Sequence, residues 1–170
     1  MGNMIRIEAV MESWKSIRRD TAQAWLDMPA EEAAFRPTPE LMAYRDLAVH
    51  ILNAGHAMTM MLLAGESDFS APGFRERMRT HFLDVSAWDA ATLAGELASV
   101  LDADAAEVLG AADSVFWSEM MTRFDGTQVT RLEMLQYAKE HELTHRSQMF
   151  MYLRLKGVVP PTTRRRLAAK

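Results

Sequence analysis

His141 and His145 stand four residues apart in YAKEHELTHRSQMFMYLRLK, the stretch from Tyr137 to Lys156. The stretch has strong helical character, and on a helix a four-residue step places both imidazoles on one face, one turn apart. Met134, Ala138, Gln148 and Tyr152 fall on that face, so the pair is expected to point into a core. Buried imidazoles without partners are costly, and two of them at this spacing make up the usual half of a metal site. Residues 141–145 also spell HExxH, the zinc-protease motif in which the glutamate is the general base. Two features weigh against a protease. After His145 the chain holds no His, Asp or Glu, so a third ligand must come from upstream. No strand pattern supplies the sheet that orders a protease substrate. Glu142 lies about 100° round the helix from His141, as a proton shuttle flanking the ligand face or as an exposed side chain.

The upstream candidate is His50, set among Leu47, Val49, Ile51 and Leu52 on another long helix. Helical bundles build sites in this way, from side chains on facing helices. Three neutral imidazoles leave an open position for water or substrate, the pattern of a catalytic rather than a closed structural site. Asp46, one turn before His50, is placed to accept from the second ring N–H of a ligand. Asn53, Gln148 and Tyr152 are candidates to line the pocket. A bland reading stands beside each of these. His50 alone also reads as a hydrogen-bonded core histidine. His56 and His81 read as surface residues, Met58, Met60 and Met61 as packing, and Arg164 to Arg166 as a solvated tail. Trp14, Trp25 and Trp117 read as core or as dimer surface.

The elements that must position these residues follow from periodicity and punctuation. A first helix is expected over Ile5 to Leu26, with apolar steps at Ile7, Val10, Trp14, Ile17 and Ala24, ended by Met28-Pro29. A second runs from about Glu40 to Ala64, with Thr38 as cap, Pro39 in the first position and Gly65 as the stop. Glu66 to Val85 is a polar connector with a short helix near Phe74 to Phe82. A third helix follows a Ser86/Asp89 capping box and ends near Ala112. Asp113 to Gln128 is ambiguous and includes a hairpin-like Asp125-Gly126 turn signal. Thr130 and Glu133 form a second capping box that opens the fourth helix, which Gly157 and Pro160-Pro161 stop. The remaining TTRRRLAAK is a basic tail expected to be mobile. Four long helices in one domain (1–160, then tail 161–170) predict an all-α four-helix bundle, with a connector long enough for helices two and three to run parallel.

The 170 residues suffice for one real core, and the net charge of −4 argues against a chain built to grip nucleic acid. There is no cysteine, which excludes disulfides, thiolate ligands and an internal thiol nucleophile. Ala57 to Gly65, among the longest apolar runs, is too short to span a bilayer. The N-terminus lacks signal-peptide regions, and Arg6 breaks the myristoylation pattern after Gly2. A soluble, cytoplasmic protein is expected.

Two blocks, VTRLEMLQYAKEHELTHRSQMFMYLRLKGVVP (Val129 to Pro160) and LMAYRDLAVHILNAGHAM (Leu41 to Met58), resemble the DinB/YfiT-like metalloenzyme superfamily, the DNA-damage-inducible DinB-like family. The first is similar to that family's closing helix with its H-x-x-x-H-R-G-Q signature, and His50 matches its helix-two histidine. Ser147 stands where the signature has glycine, and Thr144 where many members carry a further histidine. The resemblance implies an up-down-down-up four-helix bundle with a divalent metal on His50, His141 and His145. Zn, Ni, Fe and Mn all accept imidazole, and Zn or Ni is the ion expected foremost. Members with assigned activities are mainly transferases or isomerases that use a low-molecular-weight thiol. The expected function is metal-dependent activation of a thiol cosubstrate or water. The alternatives are a non-catalytic metal-binding, stress-associated protein and an HExxH zinc hydrolase. The expected partner is a small-molecule substrate, with no nucleic acid and no membrane; a homodimer is the further partner the tryptophans allow.

Overall fold

The structure is a computed structural model that describes residues 6–111 and 113–169. The expected helix boundaries at Ile5 and Ala112, and Gly2, lie outside them. The described residues are all-α apart from one short hairpin and an isolated Asp68–Thr122 bridge. Its elements are α1 (Ile7–Asp27), a 3-10 turn (Ala30–Glu32), α2 (Tyr44–Leu63), α3 (Phe74–Arg79), α4 (Ala90–Gly110), α5 (Ser114–Ser118), β1 (Met120–Thr122), β2 (Gln128–Thr130), α6 (Arg131–Leu155) and α7 (Pro161–Ala168). Among the described residues no helix is long and apolar enough to cross a membrane.

The four long helices pack side by side. α1 and α2 each lie against both α4 and α6. Paired side chains give the directions. Lys15 meets Asp102, and Trp25 donates to the Ala90 carbonyl, so α1 and α4 are antiparallel. His50 meets His141, and Tyr152 donates to the Met42 carbonyl, so α2 and α6 are antiparallel. Arg45 donates to the Val85 and Trp88 carbonyls while His56 meets Asp104, so α2 and α4 run the same way.

The core has two apolar clusters. One gathers around Trp14, Met58, Met61, Leu101, Trp117 and Met134. The other gathers around Trp25, Tyr44, Leu47, Leu93, Phe150 and Leu153. Trp14, Trp25 and Trp117 are all buried in these clusters, which resolves core against dimer surface for this chain. Between the clusters runs a polar layer. On one side of α6 it contains the three histidines; on the other it contains Glu142 with Trp14, Arg18 and Thr21 of α1. Gly55 permits the close approach of α1, since a Cβ there would stand 3.2 Å from both Trp14 Cζ2 and Arg18 Nη2.

The register of α2 against α6 is pinned at both ends. At the start of α6, the buried Arg131 donates to the carbonyls of Leu62 (3.2 Å), Gly65 (3.0 Å) and Glu66 (2.8 Å), satisfying the open end of α2. Its Nε pairs with Glu119 at 3.1 Å. Near the other end Tyr152 holds Met42 at 3.1 Å. The expected capping box is present: Thr130 Oγ1 accepts from the Glu133 backbone, and Glu133 Oε2 accepts from the Thr130 backbone.

Three boundaries differ from expectation. α2 begins at Tyr44 and not at Glu40, because the chain before it folds back: the amides of Tyr44 and Arg45 donate to Phe35 and Ala33. Thr38 therefore closes a turn through Leu41 and caps nothing. The cap of α4 is Asp89 alone, accepting from the Thr92 amide at 2.7 Å, while Ser86 bonds Asp84. The basic tail is α7, docked on α1 by Arg165–Asp20 (2.6 Å) and Arg164–Asp27 (2.7 Å). The tail reading missed it because the carboxylates that hold it lie far back in the sequence. Residues 113–130 resolve into α5 and the β1–β2 hairpin, with Gly126 at φ +84° in its turn.

Candidate metal centre

His50 comes from the middle of α2, and His141 and His145 from one face of α6. With the register pinned at both ends, the three rings converge. His141 Nε2 lies 3.3 Å from His50 Nε2 and 3.1 Å from His145 Nε2. One nitrogen from each ring falls within 4.8 Å of the others. The rings meet edge to face, with centroids 4.5–5.0 Å apart. Burial, and for each the neighbouring His145, push the pKa of His50 and of His141 down to about 4. Both are therefore neutral at physiological pH, with lone pairs available.

Gln148 fixes the third ring. Its Oε1 accepts from His145 Nδ1 at 2.7 Å, which places the proton on Nδ1 and leaves Nε2 bare toward the other two rings. A proton on His141 Nε2 could be donated to His145 Nε2 or to His50 Nε2, but one N–H cannot serve both at full strength, so the three facing nitrogens are incompletely satisfied by one another. Imidazole nitrogens at about 2.0–2.1 Å from one tetrahedral ion would stand about 3.3–3.4 Å apart. The observed 3.1 and 3.3 Å fit that donor set.

The other sequence candidates divide. Gln148 touches the site. Asp46 is exposed and makes no hydrogen bond to His50. Asn53 is buried, and its Oδ1 accepts from the Leu83 amide at 2.9 Å, tying the connector to α2. Tyr152 is buried in the second cluster, where burial raises its pKa. Glu142 is neither exposed nor beside the imidazoles. At 1% exposure it accepts from Trp14 Nε1 (2.5 Å), from Arg18 Nε (2.8 and 3.0 Å) and from Thr21 Oγ1 (2.8 Å). The step of about 100° between neighbouring helical residues turns it away from the histidines and onto α1. The glutamate of HExxH thus bolts two helices together. His56, read as a surface residue, is largely covered and meets the buried Asp104 at 2.8 Å.

A cleft of about 590 Å³ opens beside His50 and His141. Its walls come from α2 (Ala54, Met58), the connector (Phe69, Phe74, Met78), the hairpin (Phe124) and α6 (Tyr137). The connector and hairpin are stitched into one roof: Phe69 N donates to the Thr122 carbonyl and Thr122 N to the Ser67 carbonyl, both at 2.8 Å. Sequence reasoning missed Tyr137 and Phe124. Tyr137 was legible as the residue one turn before His141; Phe124 needed the hairpin's position.

No curated protein matches the chain. Among solved structures, a DinB-like protein (YjoA) from Bacillus subtilis is similar, with a TM-score of 0.67 and 21% identity over 88% of this chain and 92% of that one. That likeness is one of fold. The sequence profile of the DinB family matches residues 1–169, and the chain belongs to that family.

Proposed function

We propose that the protein is a divalent-metal-binding enzyme of transferase or isomerase type. In this reading His50, His141 and His145 hold the ion, and a thiol cosubstrate or water is activated beside them. The framework is read as a four-helix bundle of up-down-down-up order, which the helix neighbours and directions support. The observation that carries the function is the convergence of three imidazoles beside a largely apolar cleft that His50 and His141 line. An ion on such a set lowers the pKa of bound water to about 7 and holds a thiol as its thiolate. The chain's own residues supply the rest. Gln148 keeps His145 in the tautomer that presents a bare Nε2. The cleft wall offers a largely apolar surface, and with no cysteine in the chain a thiol must arrive as cosubstrate. Zn or Ni is the favoured ion, since both accept imidazole readily.

The HExxH hydrolase reading loses its base, because Glu142 is engaged by three side chains of α1. The test combines elemental analysis of untagged protein with assays of thiol-dependent transfer to small electrophiles and of casein cleavage. Expected are about one ion per chain, loss of that ion in His50→Ala, transfer activity with one of a panel of cellular thiols, and no proteolysis. An ion without turnover would favour a non-catalytic metal protein. Metal-dependent proteolysis would overturn the reading.

A further inference from the structure

Tyr137 lines the cleft one helical turn before His141. Its ring is held from two sides. Phe124 packs edge-on at 5.1 Å and 64°, and the Arg123 guanidinium lies 5.6 Å from the centroid, itself gripped by Asp125. Among the described residues no protein group takes its hydroxyl in a hydrogen bond. A donor is thus fixed in place on the same wall as His141 and has nothing in the protein to donate to.

The rest of the cleft continues from this ring. Phe69 and Phe74 are 5.2 Å apart, Phe74 and Phe124 6.1 Å, so three aromatic rings follow one another to Tyr137, the fourth. Met58 and Met78 complete the apolar surface. The charged groups, Arg75 and Glu76, are exposed and sit at the rim. Rings of this kind favour a flat aromatic guest, offset or edge-on, over an aliphatic one of equal size. The volume of about 590 Å³ is ample for such a guest.

We infer that the cleft binds a small molecule with an aromatic body and a carbonyl-type acceptor, and that the Tyr137 hydroxyl donates to that acceptor beside His141. The inference rests on the metal reading only for what lies beside His50 and His141. It concerns which electrophiles enter and how they are oriented.

The test uses the full chain with 13C-methyl methionine, because Met58 and Met78 line the cleft while Met61 is buried in the core. The probes are benzamide, cyclohexanecarboxamide and acetamide, none of which needs an ion. Benzamide should shift the Met58 and Met78 methyls and leave Met61 still. It should bind at least about tenfold more tightly than acetamide, and more tightly than cyclohexanecarboxamide. Tyr137→Phe should weaken benzamide about threefold to tenfold, the net worth of one hydrogen bond, with the Met61 signal unchanged as the check on folding. Phe74→Leu should reduce the preference for benzamide over cyclohexanecarboxamide. Benzamide that leaves Met58 and Met78 unmoved, or that binds Tyr137→Phe as well as the parent, would overturn the inference. Metal content of the same samples is measured separately. Metal-free protein that binds benzamide refutes the metal reading alone; metal-loaded protein that ignores benzamide refutes this inference alone.

Discussion

Glu142 accepts from Trp14, Arg18 and Thr21 in a space with almost no solvent. Glu142→Gln leaves the Arg18 charge buried without its counter-charge, which costs about 3 kcal/mol. Urea denaturation should show that loss while the folded variant keeps its full metal content. A protease would give the opposite pattern, with stability intact and turnover gone. His50 and His141 allow a second prediction, for protein stripped of metal. Their pKa of about 4 lies below the 6.5 of an unfolded histidine. Between those values the unfolded chain takes up protons that the folded site refuses. Stability should therefore rise as pH goes from about 4 to 6.5 and level off above, and acidification through that window should lower it. Urea midpoints across pH will check this, and the slope should shrink in His50→Ala. At this scale the sequence was a good guide where helical spacing alone decides the partner, as for His141, His145 and Gln148. It was a poor one where the partner is set by another element: Glu142 by α1, Asn53 by the connector, His56 by Asp104.

The two ends of the α2–α6 pair are held by different kinds of group. The Thr130–Glu133 capping box is local to α6, and Thr130→Ala should cost about 1 kcal/mol. Arg131 is not local: it serves three carbonyls at the end of α2, and Arg131→Ala should cost about 3 kcal/mol or more. It should also loosen metal binding, because His50 is carried on the helix that Arg131 aligns. Thermal melts and metal titration of the two variants would establish that order. The same contrast governs what could be read in advance. The Thr130–Glu133 box is visible as two letters three residues apart and was found. Arg131 looks like any helix-opening basic residue, and Arg165 like part of a solvated tail, until Leu62 and Asp20 are brought to them in space. The misplaced start of α2 has the same origin, in backbone bonds from Tyr44 and Arg45 to residues that precede the Thr38-Pro39 signal.

For the molecule as a whole, an ion held by three imidazoles on two helices would link its binding to folding. At an ion concentration one hundred times its Kd, the folded state should gain about 2.7 kcal/mol. A chelator should lower the Tm of loaded protein, and His145→Ala should melt at one temperature with or without it. Identical melting of loaded and chelated parent protein would contradict this. The stitched roof has a different bearing. The three histidines sit on helices whose register is set by Arg131 and Tyr152, whereas most of the cleft wall hangs from two surface excursions joined at Thr122 and pegged into the core by Phe69 and Met121. Much of the cleft wall and the residues that set the helix register thus lie in different segments of the chain, although Phe69 serves both wall and core. Substitutions at Phe74 or Phe124 should therefore reshape the cleft and leave the α2–α6 register, held by Arg131 and Tyr152, unchanged.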